Sequence, residues 1–227
     1  MLSQKFIDHI EHNIKIPRDT KILVATSGGV DSMVLLHLLL EHKFEVGIAH
    51  CNFKLRGKDS EDDGQFVTEF AKRNHIPFHY IAFDTQEVAQ ANGISIEMAA
   101  RQLRYEWFDQ LVKEFNYDII ATAHHLNDNA ETLLLNLTRG TGLRGLLGIK
   151  NTGKIIRPLL CASRSEIEKH AQEKNIAFRT DKSNLENDYS RNKIRNMVIP
   201  VLEQINTSLI NTFAQNTERF GKAYSFY

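Results

Sequence analysis

The sequence predicts an α/β fold, a doubly wound parallel sheet of about five strands with helices at its C-terminal end. Three observations carry this. Short β-rich apolar runs recur as KILVAT (21–26), FEVGIAH (44–50), PFHYIAF (77–83) and DIIATA (118–123). Stretches of helical periodicity, 30–42, 60–74 and 95–115, separate them. The runs are also nearly continuous in apolar character, as expected of strands covered on both faces. A hydrophobic fraction of 42% supplies a core for such a fold.

The elements outside this alternation follow in order. MLSQKFIDHIEHN mixes charged and apolar residues at helical spacing and lacks the apolar stretch of a secretory signal. After 123, HHLNDNAETLLLNLTR starts polar and becomes helical. The stretch 139–153 carries five glycines and reads as a mobile loop able to close over a ligand. IIRPLL reads as a last strand or an extended piece. Ser163 with Glu166 forms a capping-box pattern that opens a helix. From Tyr189 onward two helices are expected, divided near Asn206-Thr207, the second with no obvious partner. The boundary is placed with residues 1–203 as one domain and 204–227 as a helical linker into a further region.

Composition narrows the class. Net charge is zero, so no bulk basic field announces a polyanionic partner, although local basic clusters exist. Cys51 and Cys161 are far apart with no CxxC, which removes a disulfide framework and a four-cysteine zinc site. No uncharged apolar run reaches membrane-spanning length, so no membrane partner is expected. The simplest expectation is a cytoplasmic protein.

The informative turn is SGGVDS, Ser27-Gly28-Gly29-Val30-Asp31-Ser32, between the first strand and the first helix of the sheet. In open α/β sheets ligands bind at the carboxyl ends of the strands. Paired glycines allow a tight turn and close backbone approach, and their N–H groups join the unpaired donors of a helix N-terminus to make an anion site. Ser27 and Ser32 add hydroxyls. Asp31 is favoured by the helix dipole, but beside a bound phosphate it calls for a cation such as Mg²⁺. The turn is neither a Walker A loop nor G-x-G-x-x-G.

Asp128 and Glu131, three apart at a helix start, share a face. They hold Mg²⁺, or receive a substrate ammonium and help remove its proton, or simply dress a helix N-terminus. Arg101 and Arg104, also three apart, suit phosphate or an RNA backbone, or else pair with sheet-end carboxylates. His50 and His124, with His125, close strands and are placed either for nucleotide contact or as hydrogen-bonded scaffolding. Basic clusters lie at Lys54, Arg56 and Lys58; at Arg139, Arg144, Lys150, Lys154 and Arg157; and at Arg191, Lys193 and Arg195. Three clusters around one crevice suit tracking of a phosphate backbone.

SGGVDS resembles the pyrophosphate loop of the N-type ATP pyrophosphatases. Further segments sharpen this: HCNFKLRG (50–57), ARQLRY (100–105), AHHLNDNAET (123–132), RGTG (139–142), DKSN (181–184) and YSRNKIR (189–195). Together, from Lys21 to about Leu202, they resemble the tRNA(Ile)-lysidine synthetase family. The resemblance implies a Rossmann-like adenine nucleotide α-hydrolase fold. It also implies an activity: ATP, with Mg²⁺, adenylates C2 of the wobble cytidine in an isoleucine tRNA with a CAU anticodon, and the ε-amine of free L-lysine then displaces AMP. It implies ATP contacts from Ser27, Gly28, Gly29, Val30, Asp31, Ser32, His50, Arg104 and His124. Catalytic roles fall to Asp31, Asp128 and Glu131, metal contacts to Asp31 and Asp128, and tRNA or lysine contacts to Arg101, Arg139, Arg144, Arg191 and Arg195. The family usually has aspartate where Asn127 stands and often glutamine at Asn129, so no role is assigned to Asn127. A homodimer through exposed apolar residues of the terminal helices is also open. Rival readings are a tRNA thiolase of the same superfamily, disfavoured by the two isolated cysteines, and a non-catalytic ATP-binding module, disfavoured by the retained carboxylates.

Overall fold

The computed structural model describes residues 1–180 and 190–225. The sheet is five-stranded and wholly parallel, in the order β3-β2-β1-β4-β5. Its strands are β1 (Lys21–Ala25), β2 (Glu45–Asn52), β3 (Phe78–Ala82), β4 (Ile119–Ala121) and β5 (Ile155–Ile156). Helices α1 (Leu2–His9), α2 (Val30–Glu41), α3 (Lys58–Arg73), α4 (Thr85–Asn92), α5 (Ile96–Phe115), α6 (Leu126–Arg139) and α7 (Arg164–Glu173) connect or flank them. A continuous helical stretch follows, comprising α8 (Ser190–Lys193), a wider turn Ile194–Val198 and α9 (Ile199–Ile205); α10 (Leu209–Tyr224) ends the described chain. The expected fold class is the one found.

The strands alternate sides, and both sides are dry. Ile22, Val24, Val46 and Ile48 join Phe6, Met33, Leu36 and Ile167 in the larger core. Leu23, Ala49 and Ile120 face the other way, onto Trp107, Phe108 and Leu111 of α5. This two-sided burial explains why the strands read as unbroken apolar runs. The chain reverses direction across the sheet between β1 and β4, and that switch point opens the crevice for a ligand.

Several local expectations are corrected. The fourth strand is shorter than 118–123, and IIRPLL is a strand only at Ile155–Ile156. Pro158 starts a helical turn, Pro158–Cys161, because its missing N–H suits a first helical position and not a sheet ladder. Helix α4 was not anticipated. The glycine-rich stretch contains a helical turn, Leu143–Leu147, packed on α6 and α10 with Leu147 buried. Asn129 Oδ1 accepts the Ile149 N–H at 2.7 Å, and Asn136 donates to the Gly145 carbonyl at 2.9 Å, so α6 holds this stretch. The last helix does have a partner. Leu209 and Ile210 bury against Leu126 and Ala130 of α6 and against Ile194 and Ile199. The segment 181–184 and Tyr189 lie outside the described residues.

Candidate functional site

Three helix N-termini meet near the carboxyl ends of β1 and β4. Gly29 caps α2, His125 caps α6 and Ser163 caps α7. Unpaired N–H groups and aligned dipoles make this a positive region before any side chain is counted.

In the turn 27–32, Gly28 has φ +94°, a conformation that favours glycine, and a Cβ there would press on Val67 and Phe66 at 3.4 and 3.5 Å. Ser32 Oγ accepts the N–H groups of Ser27 and Gly28, both at 3.2 Å, and donates to the Gly29 carbonyl at 2.9 Å. Ser27 Oγ accepts the Gly29 N–H at 3.3 Å. The serines thus hold the loop's donors in the orientation an anion would take over.

Two adjoining cavities share Ser27, Gly29, Asp31, Arg104 and His124. The smaller, about 240 Å³, is floored by Ala25, Ala49, Cys51, Phe53 and Phe108. The larger, about 690 Å³, is lined by Arg56, Arg164, Arg179, Arg191 and Arg195 with Asp31, Asp63 and Asp128 among them. Arg104 lies 5.0 Å over the Phe53 ring at the junction, a cation–π contact that fixes the guanidinium between the two.

Burial pushes the Asp31 carboxyl above its ordinary range; His125 and the arginines 164 and 195 oppose this and Asp128 reinforces it. Asp31 Oδ1 is buried without a hydrogen bond, 3.7 Å from His125 Nε2. At Asp128 burial also pushes upward, but His125, Arg191 and His124 outweigh it, and the carboxyl sits below its ordinary value. Asp128 Oδ2 accepts the His125 N–H at 2.9 Å, closing the capping box of α6. Glu131 is fully buried. Its oxygens take Arg195 Nε at 2.6 Å and Arg191 Nε at 2.7 Å, and both arginines also reach Asp128 Oδ1, at 3.5 and 3.2 Å. The two acids do share a face, and it is the face that anchors the helix after 190 to α6.

His124 lines both cavities and bonds Thr122 Oγ1 at 2.9 Å; burial above all, with nearby arginines, pushes its pKa down to about 4, against the pull of Asp128. His125 is 2% exposed and works as a cap and a bridge between Asp31 and Asp128. His50 is buried, bonds the Thr26 carbonyl at 2.9 Å and stacks on Tyr80 at 5.8 Å; it edges a side cavity next to Arg56. Arg101 diverges from Arg104. It is exposed, 4.9 Å over the Tyr105 ring, and lines neither cavity. Arg139 and Arg144 are exposed and likewise line neither. Arg157, counted in the second basic cluster, is buried and donates to the Lys150 carbonyl. Asn127 accepts the Arg164 N–H at 2.9 Å and so joins the starts of α6 and α7.

Sequence reasoning missed Asp63, Phe53, Arg164 and Arg179 as site residues. Arg179 lies in no recognisable pattern; the Arg56-to-Asp63 spacing at a helix start was the one available signal for Asp63.

For Mg²⁺, a hard cation that prefers one or two carboxylates plus phosphate oxygens and water, Asp31 fits: it has a buried unpartnered oxygen beside the anion loop. No cluster of three or more metal-binding side chains occurs among the described residues. No helix among them is long and apolar enough to cross a membrane.

Comparison with known proteins gives consistent results. A model described as "PP-loop domain" matches residues 2–202. A tRNA(Ile)-lysidine synthase of Bacteroides thetaiotaomicron is 43% identical over 228 residues, covering 100% of this chain and 54% of the relative. One from Porphyromonas gingivalis is 46% identical over 92% of this chain and 46% of the relative, and one from Parabacteroides distasonis 44% over 96% and 50%. The chain spans about half the length of these relatives. Among solved structures, a U34-tRNA thiolase of Methanococcus maripaludis with its [4Fe-4S] cluster aligns with TM-score 0.78 at 18% identity, over 96% of this chain and 77% of that one. An NMN synthetase of Francisella tularensis aligns at TM-score 0.59 and 15% identity, over 96% and 93%. These structural likenesses concern the fold.

Proposed function

This chain belongs to the PP-loop domain family, and on that premise we propose that it is the catalytic region of a tRNA(Ile)-lysidine synthase, cytoplasmic, acting on isoleucine tRNA with a CAU anticodon. Residues 1–203 form the catalytic domain in this reading and 204–227 lead toward the rest of a longer chain. The observation that carries it is the two-part crevice: an anion loop at the switch point, an apolar cavity for adenosine on one side and an arginine-rich cavity for RNA and lysine on the other. The agreement in name among relatives 43–46% identical across most of the chain supports it.

The chemistry follows from the residues. Phe53 and the alanines 25 and 49 take the adenine, while the N–H groups of 28–32 and the α2 dipole receive the phosphates. The cytidine O2 attacks the α-phosphorus, and pyrophosphate leaves against the arginines. The lysine ε-amine, having lost its proton, attacks C2; the C2–O bond breaks and AMP departs. Mg²⁺, held by Asp31 with Asp128, would neutralise phosphate charge. Asp128, acidic and fixed by His125, offers a site for the lysine ammonium. Glu131, with both oxygens engaged, positions Arg191 and Arg195. His124, neutral near pH 7, serves as a hydrogen-bond partner for phosphate or base. Arg139 and Arg144, exposed on the segment after α6, reach the tRNA backbone outside the crevice, as does Arg101.

The test is incubation with ATP, Mg²⁺, labelled lysine and the tRNA. Lysine incorporated in equal amount with pyrophosphate release supports the reading; pyrophosphate release without incorporation, or transfer of sulfur, overturns it. The thiolase alternative is poorly served here. Cys51 and Cys161 are half-buried, and desolvation pushes their pKa values up to about 12 and about 11, far from a reactive thiolate.

A further inference from the structure

A backbone hydrogen bond at the rim of the larger cavity fixes which way the phosphate loop faces. The Arg179 N–H donates to the Gly28 carbonyl at 2.9 Å. In a trans peptide the C=O and N–H point in opposite directions. Holding Gly28 O outward therefore turns the N–H of the same peptide unit, that of Gly29, inward, where it now meets Ser27 Oγ at the crevice wall. Glycine at φ +94° has no side chain to resist a flip of this unit, so the preference must come from a partner. That partner is itself anchored. Arg179 Nε binds Asp63 Oδ1 at 2.6 Å, and Asp63 Oδ2 takes Arg56 Nη2 at 2.8 Å. Asp63 is buried on α3, the helix whose Val67 and Phe66 pack under Gly28. Asp62 adds an ion pair to Arg179 at 3.7 Å, so the guanidinium is matched by protein acids and acts as an anchor, not as an anion receptor.

We propose that Arg179 and Asp63 are positioning residues that hold the Gly28–Gly29 peptide with its N–H toward the β- and γ-phosphates of ATP. The proposal rests on the adenylating function above and adds to it the residues that preorganise its phosphate grip. The effect is specific to the outer phosphates, which a general weakening of the fold is not. In the full chain, Arg179→Ala and the isosteric Asp63→Asn are expected to raise the Kd of an α,β-methylene ATP analogue about three- to tenfold, the worth of one hydrogen bond. AMP binding should change less than twofold, and Arg179→Lys, which keeps the charge, should restore part of the loss. Isothermal titration of both ligands reads this out, with thermal melting alongside. Equal weakening toward ATP analogue and AMP, or no weakening toward either, overturns the proposal. Whether the wild-type chain makes lysidine is read separately, so a wild type that binds the analogue without modifying tRNA defeats the functional reading while leaving the loop device standing.

Discussion

Asp31 shows how a single residue trades stability for reactivity. Its folded-state pKa lies above the ordinary value, so the folded protein binds the proton more tightly than the unfolded chain. Stability is therefore lost as pH rises from the ordinary carboxylate range through that raised value, and the loss persists at pH 7. Asp31→Asn removes the charge. It should raise the melting temperature at pH 7, and the gain should vanish once the pH falls below the ordinary carboxylate range. Pyrophosphate release should fall on the order of 100-fold or more. Melting scans across pH, with and without the substitution, check the sign. Glu131 makes the opposite case. Its charge is matched by Arg191 and Arg195, so Glu131→Gln leaves both guanidinium groups with the longer contacts to Asp128, at 3.2 and 3.5 Å, and should cost about 3 kcal/mol in denaturant unfolding. His124, with a pKa of about 4, should show no protonation between pH 6 and 8 when its ring protons are followed by NMR.

At the scale of elements, α6 is the piece on which the site depends. Its N-terminus supplies Asp128, its buried side carries Glu131 and Asn129, and its flank receives α10 and the helix after 190. The helical turn 143–147 depends on the same helix through Asn136, and Ile149 just after it through Asn129. Gly148 sits at φ +60°, and a Cβ there would fall 2.0 Å from Asn129 Oδ1. Gly148→Ala should therefore break the Asn129–Ile149 bond and destabilise by about 1–3 kcal/mol. Ile199→Ala, which empties the seam between α6 and the terminal helices, should cost about 2–4 kcal/mol. Urea unfolding distinguishes these from the crevice variants, since neither touches the phosphate loop.

Across the whole molecule, zero net charge conceals a separation of sites. The arginines of the crevice are paired with Asp63, Asp128, Glu131 and Glu168, while Arg139 and Arg144 stand on the outer surface. The double variant Arg139→Glu, Arg144→Glu should weaken tRNA binding, lower the slope of log affinity against log salt by about two and leave ATP binding unchanged. Fluorescence anisotropy at several salt concentrations measures all three. Met197, Val198, Val201 and Ile205 are exposed on the helices that follow 190.

The order of elements, the parallel sheet and the anion loop were legible in the sequence because each is local. Two-sided strands must be apolar throughout, and a glycine turn before a helix has a fixed spelling. Where local signals conflicted, the reading failed: a proline and two isoleucines gave a strand that ends after Ile156, and five glycines gave a loop that α6 holds in place. Roles that depend on distance were not legible at all. Arg101 and Arg104 sit three apart, yet only Arg104 reaches the crevice, because the faces of α5 are chosen by Trp107 and Phe108 packing on the sheet. Arg157 was counted in a basic cluster and is buried; Arg179 had no pattern and touches Gly28 from 151 positions away in the chain. Sequence by itself determined that a tight glycine turn opens a helix at the mouth of a parallel sheet. Only the tertiary structure decided which charges face that loop and which are spent on one another, because pairing depends on separations in space that periodicity does not encode.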